Sequence, residues 1–175
     1  MEISIKSSAM NYGLYLGGLL TLLIIIAYAF NLELLVNPWY GIFILLLVII
    51  LGIISVAKAK GILEGFISFK QSFTTYFITV LIGFSIYLLV QFILFNFIDP
   101  EASIPLKEKT IEASIAMMEG FGAPADAIAD AVDQMEQDNQ FSIMNIIKGL
   151  AMYLVLFSII GLIVAAIMKK NPENA

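Results

Sequence analysis

The chain has 175 residues, 61% of them hydrophobic and 13% charged, with a formal net charge of -5. Soluble domains run at roughly 45–50% apolar and about 25% charged, so this composition excludes an ordinary water-soluble fold and points to lipid as the solvent. There is no Cys, no His and no Arg, which removes disulfides, thiolate and imidazole chemistry and the commonest zinc ligands, and argues against nucleic-acid binding.

No charged residue interrupts Ala9–Leu32, Leu34–Ala57 or Gln71–Ile98. A spanning helix needs about 20 apolar residues to cross roughly 30 Å of hydrocarbon, and each run is long enough. The first span is expected over about 9–30. Its first half holds Tyr12, Gly13, Tyr15, Gly17 and Gly18, and an apolar run from Leu19 to Ala29 follows. Ala27-Tyr28-Ala29 looks like a signal cleavage site, but the run exceeds the roughly 7–15 residues of a signal core, so a retained span is expected. Asn37-Pro38 breaks the helix, because the residue before a proline is pushed out of the helical region. Trp39 and Tyr40 then stand where an interfacial aromatic belt belongs.

The second span is expected over about 40–57, ended by Lys58-Ala59-Lys60-Gly61. Phe66, Phe69 and Phe73, with Glu64 and Lys70 between them, predict a separate interfacial helix over about 62–72. The third span is placed at about 73–98, stopping at Asp99-Pro100, and the fourth at about 143–168, stopping at Lys169-Lys170. Orientation follows from lysine placement. Lys6, Lys58, Lys60, Lys70, Lys169 and Lys170 fall on one side; Lys107, Lys109 and Lys148 fall on or near the other. The first side, with both termini, is expected to be cytoplasmic. Glu2, Glu64 and Glu173 lie there, and the remaining acids lie opposite.

Residues 99–140 carry most of those acids. Pro105 suits the first turn of a helix. Ile111, Ile115 and Met118 then share one face, with Glu108, Glu112 and Glu119 beside it. Gly120-Phe121-Gly122-Ala123-Pro124 breaks that helix. A second helix, over about 125–138, sets Ile128, Val132 and Met135 against Asp126, Asp130 and Asp133. The expected fold class is therefore all-α: a polytopic membrane protein, one membrane domain over 1–175, with four transmembrane helices and an extracytoplasmic two-helix amphipathic hairpin between the third and fourth. Both stripes must be buried somewhere, because such short helices are marginal alone in water.

Two groups of residues stand out as candidates. Glu112, Glu119, Asp126, Asp130 and Asp133 form a partner surface on the hairpin, with plain solvation as the simpler reading. Asp126, Asp130 and Asp133 lack the loop of a calcium-binding hand, so no metal site is assigned. Inside the membrane, Gln91, Asn96, Asn145 and Lys148 form a polar cluster. Lys148 is the one ionisable residue within a span and lies near its outer boundary, where it can snorkel to water. Gly13-x-x-x-Gly17, Gly61-x-x-x-Gly65 and Gly161-x-x-x-Ala165 favour close packing within the bundle. No catalytic residue or cofactor is assigned, and the partners expected are the lipid bilayer and a membrane or periplasmic protein.

Gly65-Phe66-Ile67-Ser68-Phe69-Lys70-Gln71-Ser72-Phe73 before the third span and Phe97-Ile98-Asp99-Pro100 at its end, with the order of the spans, resemble the bacterial family called domain of unknown function 4199. The resemblance covers nearly the whole chain. It implies a small inner-membrane protein of a Gram-negative bacterium and brings no activity and no catalytic residue. The function expected is that of a non-catalytic accessory or assembly subunit acting through its outer acidic hairpin. The runner-up is a transporter or channel component for a small or lipidic solute, using a cleft near Gln91, Asn96 and Lys148. A weaker third reading is an enzyme acting on lipid or cell-wall precursors through the outer acids.

Overall fold

A computed structural model describes residues 2–170; Glu173, counted above among the acids of the basic side, lies outside them. Six α-helices form it: α1 Glu2–Phe30, α2 Pro38–Ile62, α3 Phe69–Ile93, α4 Ser103–Gly120, α5 Ala125–Gln137 and α6 Ile143–Met168. A 3₁₀ turn, Leu32–Val36, joins α1 to α2, and a π-turn, Leu94–Ile98, extends α3. Four helices are long and apolar enough to cross a membrane: Ser4–Phe30, Pro38–Ile62, Phe69–Ile98 and Ile143–Met168, with mean hydropathy between 2.1 and 2.9. Large side chains such as Leu22, Leu46, Ile50, Val155 and Ile163 project outward, exposed. Helices apolar on every side need lipid around them.

Capping residues set the helix starts. Asn31 Oδ1 accepts from the Glu33 N–H at 3.0 Å, and Asn37 Oδ1 from the Trp39 N–H at 2.9 Å, with Pro38 in the first helical turn. Ser68 and Gln71 form a reciprocal capping box: Ser68 Oγ accepts from the Gln71 N–H and Gln71 Oε1 from the Ser68 N–H.

That box overturns the separate interfacial helix expected over 62–72. α2 instead continues through Lys58 and Lys60 to Ile62. The chain then turns at Glu64 (φ 56°) and Gly65 (φ 92°), and Ile67 pairs antiparallel with Lys170. The phenylalanine spacing lost to stronger local signals: a left-handed turn stops one helix and the capping box starts the next at Phe69. The lysines extend α2 because cations suit a helix C-terminus; Lys60 Nζ also donates to the Met168 carbonyl at 3.0 Å. Lys170 lies over the Phe66 ring, 5.4 Å from its centroid.

α3 is the hub, packed on α1, α2 and α6. Its contact with α1 is the most extensive in the bundle. A Cβ added to Gly13 would stand 2.8 Å from Ile82 Cβ, one on Gly17 2.6 Å from Ile86 Cδ1, and one on Gly83 2.5 Å from Leu16 Cδ2. Gly13 and Gly17 therefore serve packing within the bundle. Gly61 and Gly65 show no such contact, because among the described residues nothing lies within 4 Å of a Cβ at either. The main core runs along the bundle through Leu16, Leu20, Val48, Val56, Tyr76, Val80 and Phe157. A second cluster, Ile24, Leu94, Phe95, Leu106 and Phe141, joins the span ends to α4.

α4 and α5 lie beyond the ends of the spans. α4 has 18 residues and α5 has 13, so α4 is longer than a marginal helix. Ile111, Ile115, Met118, Ile128, Val132 and Met135 are all half-buried, not buried. The two helices diverge, and part of each apolar stripe lines the gap.

Candidate functional site

A group of polar side chains is buried in the bundle toward its lysine-rich end. Ser72, Thr75, Tyr76 and Thr79 follow one face of α3 and are almost fully buried, with Ser55 of α2 opposite. Ser55 Oγ and Thr79 Oγ1 are 2.7 Å apart. Thr79 Oγ1 is also 3.1 Å from the Ala9 carbonyl of α1 and 3.0 Å from the Thr75 carbonyl. One hydroxyl thus links three helices. The Tyr76 ring fits between Gly52 of α2 and Gly161 of α6, where a Cβ would collide with it. Sequence reasoning missed this group, although its spacing (positions 72, 75, 76 and 79) is helical. Hydroxyls at such positions tie transmembrane helices together. Ser55 and Thr79 are spent on these links between helices.

The four polar residues expected to cluster in the membrane do not form one site. Asn96 is spent on structure: its Nδ2 donates to the Phe92 carbonyl at 2.9 Å and the Phe141 carbonyl at 3.0 Å, pinning the π-turn to the segment before α6. Lys148 is exposed on α6 and lines none of the cavities described below. Gln91 and Asn145 do meet, on the wall of a cavity of about 240 Å³ shared with Leu88, Leu106, Thr110 and Gln140.

That cavity lies between two others with which it shares walls. Beyond the span ends, a groove of about 590 Å³ opens between α4 and α5. Ile111, Met117, Met118 and Met135 line it, with Lys107 at its rim, and it shares Thr110, Gln140 and Asn145 with the middle cavity. Toward the spans, a crevice of about 230 Å³ lies between α2, α3 and α6. Tyr40, Phe84, Tyr87, Tyr153 and Phe157 line it, and it shares Leu88 and Gln91 with the middle cavity. Gln91 Nε2 donates to the Tyr87 hydroxyl at 3.0 Å. Two buried polar atoms on these walls have no hydrogen-bond partner: Gln140 Nε2 and the Tyr40 hydroxyl. Unpaired buried polar groups are costly and few in folded proteins. Both residues stand on cavity walls.

Asp138 lines the groove between α4 and α5, but none of the five acids expected to form a partner surface lines these cavities. Glu112, Glu119, Asp126, Asp130 and Asp133 are exposed. Among the described residues, no group of three or more acids is placed to hold a metal ion. The ion pair that is present joins Lys109 Nζ to Glu33 Oε1 at 2.6 Å and ties α4 to the first loop. The hydrogen bond from Lys109 holds the Glu33 carboxyl below its ordinary value. A second tie runs from the Tyr28 hydroxyl at the end of α1 to Asp99 Oδ2, at 2.7 Å. Asp99 Oδ1 also accepts from the Ala102 N–H at 3.1 Å. Both ties fix the start of α4 against the bundle.

No curated protein and no solved structure matches the chain significantly. A family model described as Protein of unknown function (DUF4199) matches residues 11–170, which takes in most of the first span, the other three, the two-helix segment and the row of cavities. The chain belongs to that family.

Proposed function

We propose that the protein is a non-catalytic binding component of a bacterial inner membrane, and that it holds a lipid-like amphiphile at the outer ends of its spans. The lysine-rich end, with both termini, faces the cytoplasm; α4 and α5 face outward. The observation that carries this reading is the methionine-lined groove beyond the span ends, joined by shared walls to a polar waist and an aromatic crevice. An apolar groove outside the bilayer is costly in water unless an apolar group fills it. Methionine suits such a role because its flexible, polarisable side chain adapts to varied occupants. Gln91, Gln140 and Asn145 at the waist supply hydrogen bonds to a polar group, and the crevice between α2 and α6 gives a lateral path from the bilayer.

The test is native mass spectrometry of protein purified in mild detergent. The parent is expected to retain one amphiphile, and the Gln140→Leu, Met135→Lys double variant to lose it. A parent that carries no bound molecule would contradict the reading.

A second reading, an accessory subunit that docks a partner through Glu112, Glu119, Asp126, Asp130 and Asp133, draws support from the exposure of all five. Pull-down with the triple Asp126→Asn, Asp130→Asn, Asp133→Asn variant decides it. Capture should weaken with the variant and with salt; equal recovery leaves the acids as a solvated surface.

A further inference from the structure

At the opposite end of the bundle, a fissure of about 220 Å³ opens between α1 and α3, lined by Ile5, Lys6, Ala9, Lys70, Gln71, Thr74, Thr75 and Ile78. We infer that it is a binding site for a phosphate-type oxyanion, supplied by the headgroup of an anionic phospholipid.

The walls divide by chemistry. Lys6 and Lys70 are exposed, one on each helix, at the rim where the spans end. Among the described residues, no carboxylate lines the fissure. Gln71 uses its Oε1 on the Ser68 N–H, which leaves its Nε2 amide as a donor. Thr75 is the independent observation. It is 1% exposed, it stands on the fissure wall, and its hydroxyl has no hydrogen-bond partner. A buried hydroxyl without a partner is destabilising unless something enters to accept its proton. The fissure also opens beside the first turn of α3, where the helix dipole favours negative charge. Ile5, Ala9 and Ile78 make the remaining wall apolar, which suits the hydrocarbon next to a headgroup.

Two cations and two neutral donors around an acid-free slot match a phosphodiester and mismatch a cation or a neutral sugar. The depth fits as well. The polar groups sit at the span ends, level with headgroups, and the apolar wall continues toward the hydrocarbon. The site does not depend on the outer cavities, which lie at the other end of the molecule.

The experiment measures thermal stability and lipid retention of the full chain in detergent with added phosphatidylglycerol, phosphatidylcholine or inorganic phosphate. Phosphatidylglycerol is expected to raise the melting temperature and stay bound, and phosphatidylcholine is not. The Lys6→Gln, Lys70→Gln double variant should weaken retention about 30-fold, the combined worth of two lysines at an anionic surface. Thr75→Val, which keeps shape and removes the hydroxyl, should weaken it further without loss of fold. Lys58→Gln and Gln140→Leu serve as controls and should leave it unchanged. Stabilisation by inorganic phosphate to the same extent, lost in the same variants, would keep the oxyanion site and make a soluble anion its source. Equal retention of both lipids, or equal losses in Lys58→Gln, would overturn the site.

Discussion

A Cβ placed on Gly161 would stand 2.7 Å from Tyr76 Cδ1, so α6 lies against the tyrosine ring as closely as a glycine allows. Gly52 of α2 meets the opposite edge of the same ring. The two glycines and Tyr76 together set the spacing of α2, α3 and α6.

Gly161→Val should therefore destabilise the bundle by about 1–3 kcal/mol, the usual cost of forcing extra atoms into a packed interior. Tyr76→Phe should behave differently. The Tyr76 hydroxyl is buried without a partner, and removing such a group is neutral or stabilising. Thermal unfolding in detergent checks both, and a clear loss of stability in Tyr76→Phe would contradict the packing described.

Ser55 and Thr79 should be coupled. In a double-mutant cycle with Ser55→Ala and Thr79→Val, the expected interaction energy is about 0.6 kcal/mol and not above roughly 1.7, the range for hydrogen bonds between membrane helices. Strictly additive losses would show that the 2.7 Å contact contributes nothing.

The Tyr28–Asp99 tie carries a pH dependence. The hydrogen bond from Tyr28, then that from the Ala102 N–H, holds the Asp99 carboxyl below its ordinary value. The folded value thus lies below the unfolded one. The contribution to stability is complete above the unfolded value of about 3.9 and is lost as pH falls through the folded value. Asp99→Asn and Tyr28→Phe should each flatten the acid limb of the stability curve below about pH 4 and leave its slope near neutrality unchanged. An acid limb identical to the parent's in both variants would contradict this.

The orientation is testable cleanly because the chain has no native cysteine. Single Glu112→Cys and Asp130→Cys variants should react with an impermeant thiol reagent added outside intact cells. Lys58→Cys should react only after the membrane is opened. The reverse pattern would invert the topology and move the outer cavities to the cytoplasmic face.

The spans were legible in the sequence because charge-free runs and lysine stops are large, local signals. α6 matches its expected bounds, Ile143–Met168. Gly13 and Gly17 were legible as packing residues for the same reason. The stretch around Phe66 was misread because aromatic periodicity was weighed above Ser68-Phe69-Lys70-Gln71, which carries the true helix start. Gly65 looked like a packing glycine and is a turn glycine, since φ is not visible in a residue name. Thr79 and Ser55 were passed over because serine and threonine are common in spans, and their pairing depends on how α2 and α3 are placed. Gln91 and Asn145 stand out in the sequence as polar residues within spans, but the cavity they share exists only through the packing of α4 and the first loop against the span ends. That packing does not follow from residue order. Asn96 was grouped with them by chemistry alone, and the π-turn at Leu94–Ile98 directs it to backbone carbonyls instead.

The outer cavities are tested most directly by methyl NMR of the protein in nanodiscs, with methionine methyls labelled and a tail-spin-labelled amphiphile added. Met152 is 78% exposed on α6 within a span, so bulk lipid broadens it in any case. Met118 and Met135 line the groove between α4 and α5, beyond the span ends. Broadening at Met118 and Met135 together with Met152, and its loss at those two methyls alone in Gln140→Leu, is the expected result. Broadening confined to Met152 would contradict a lipid-like occupant in the groove.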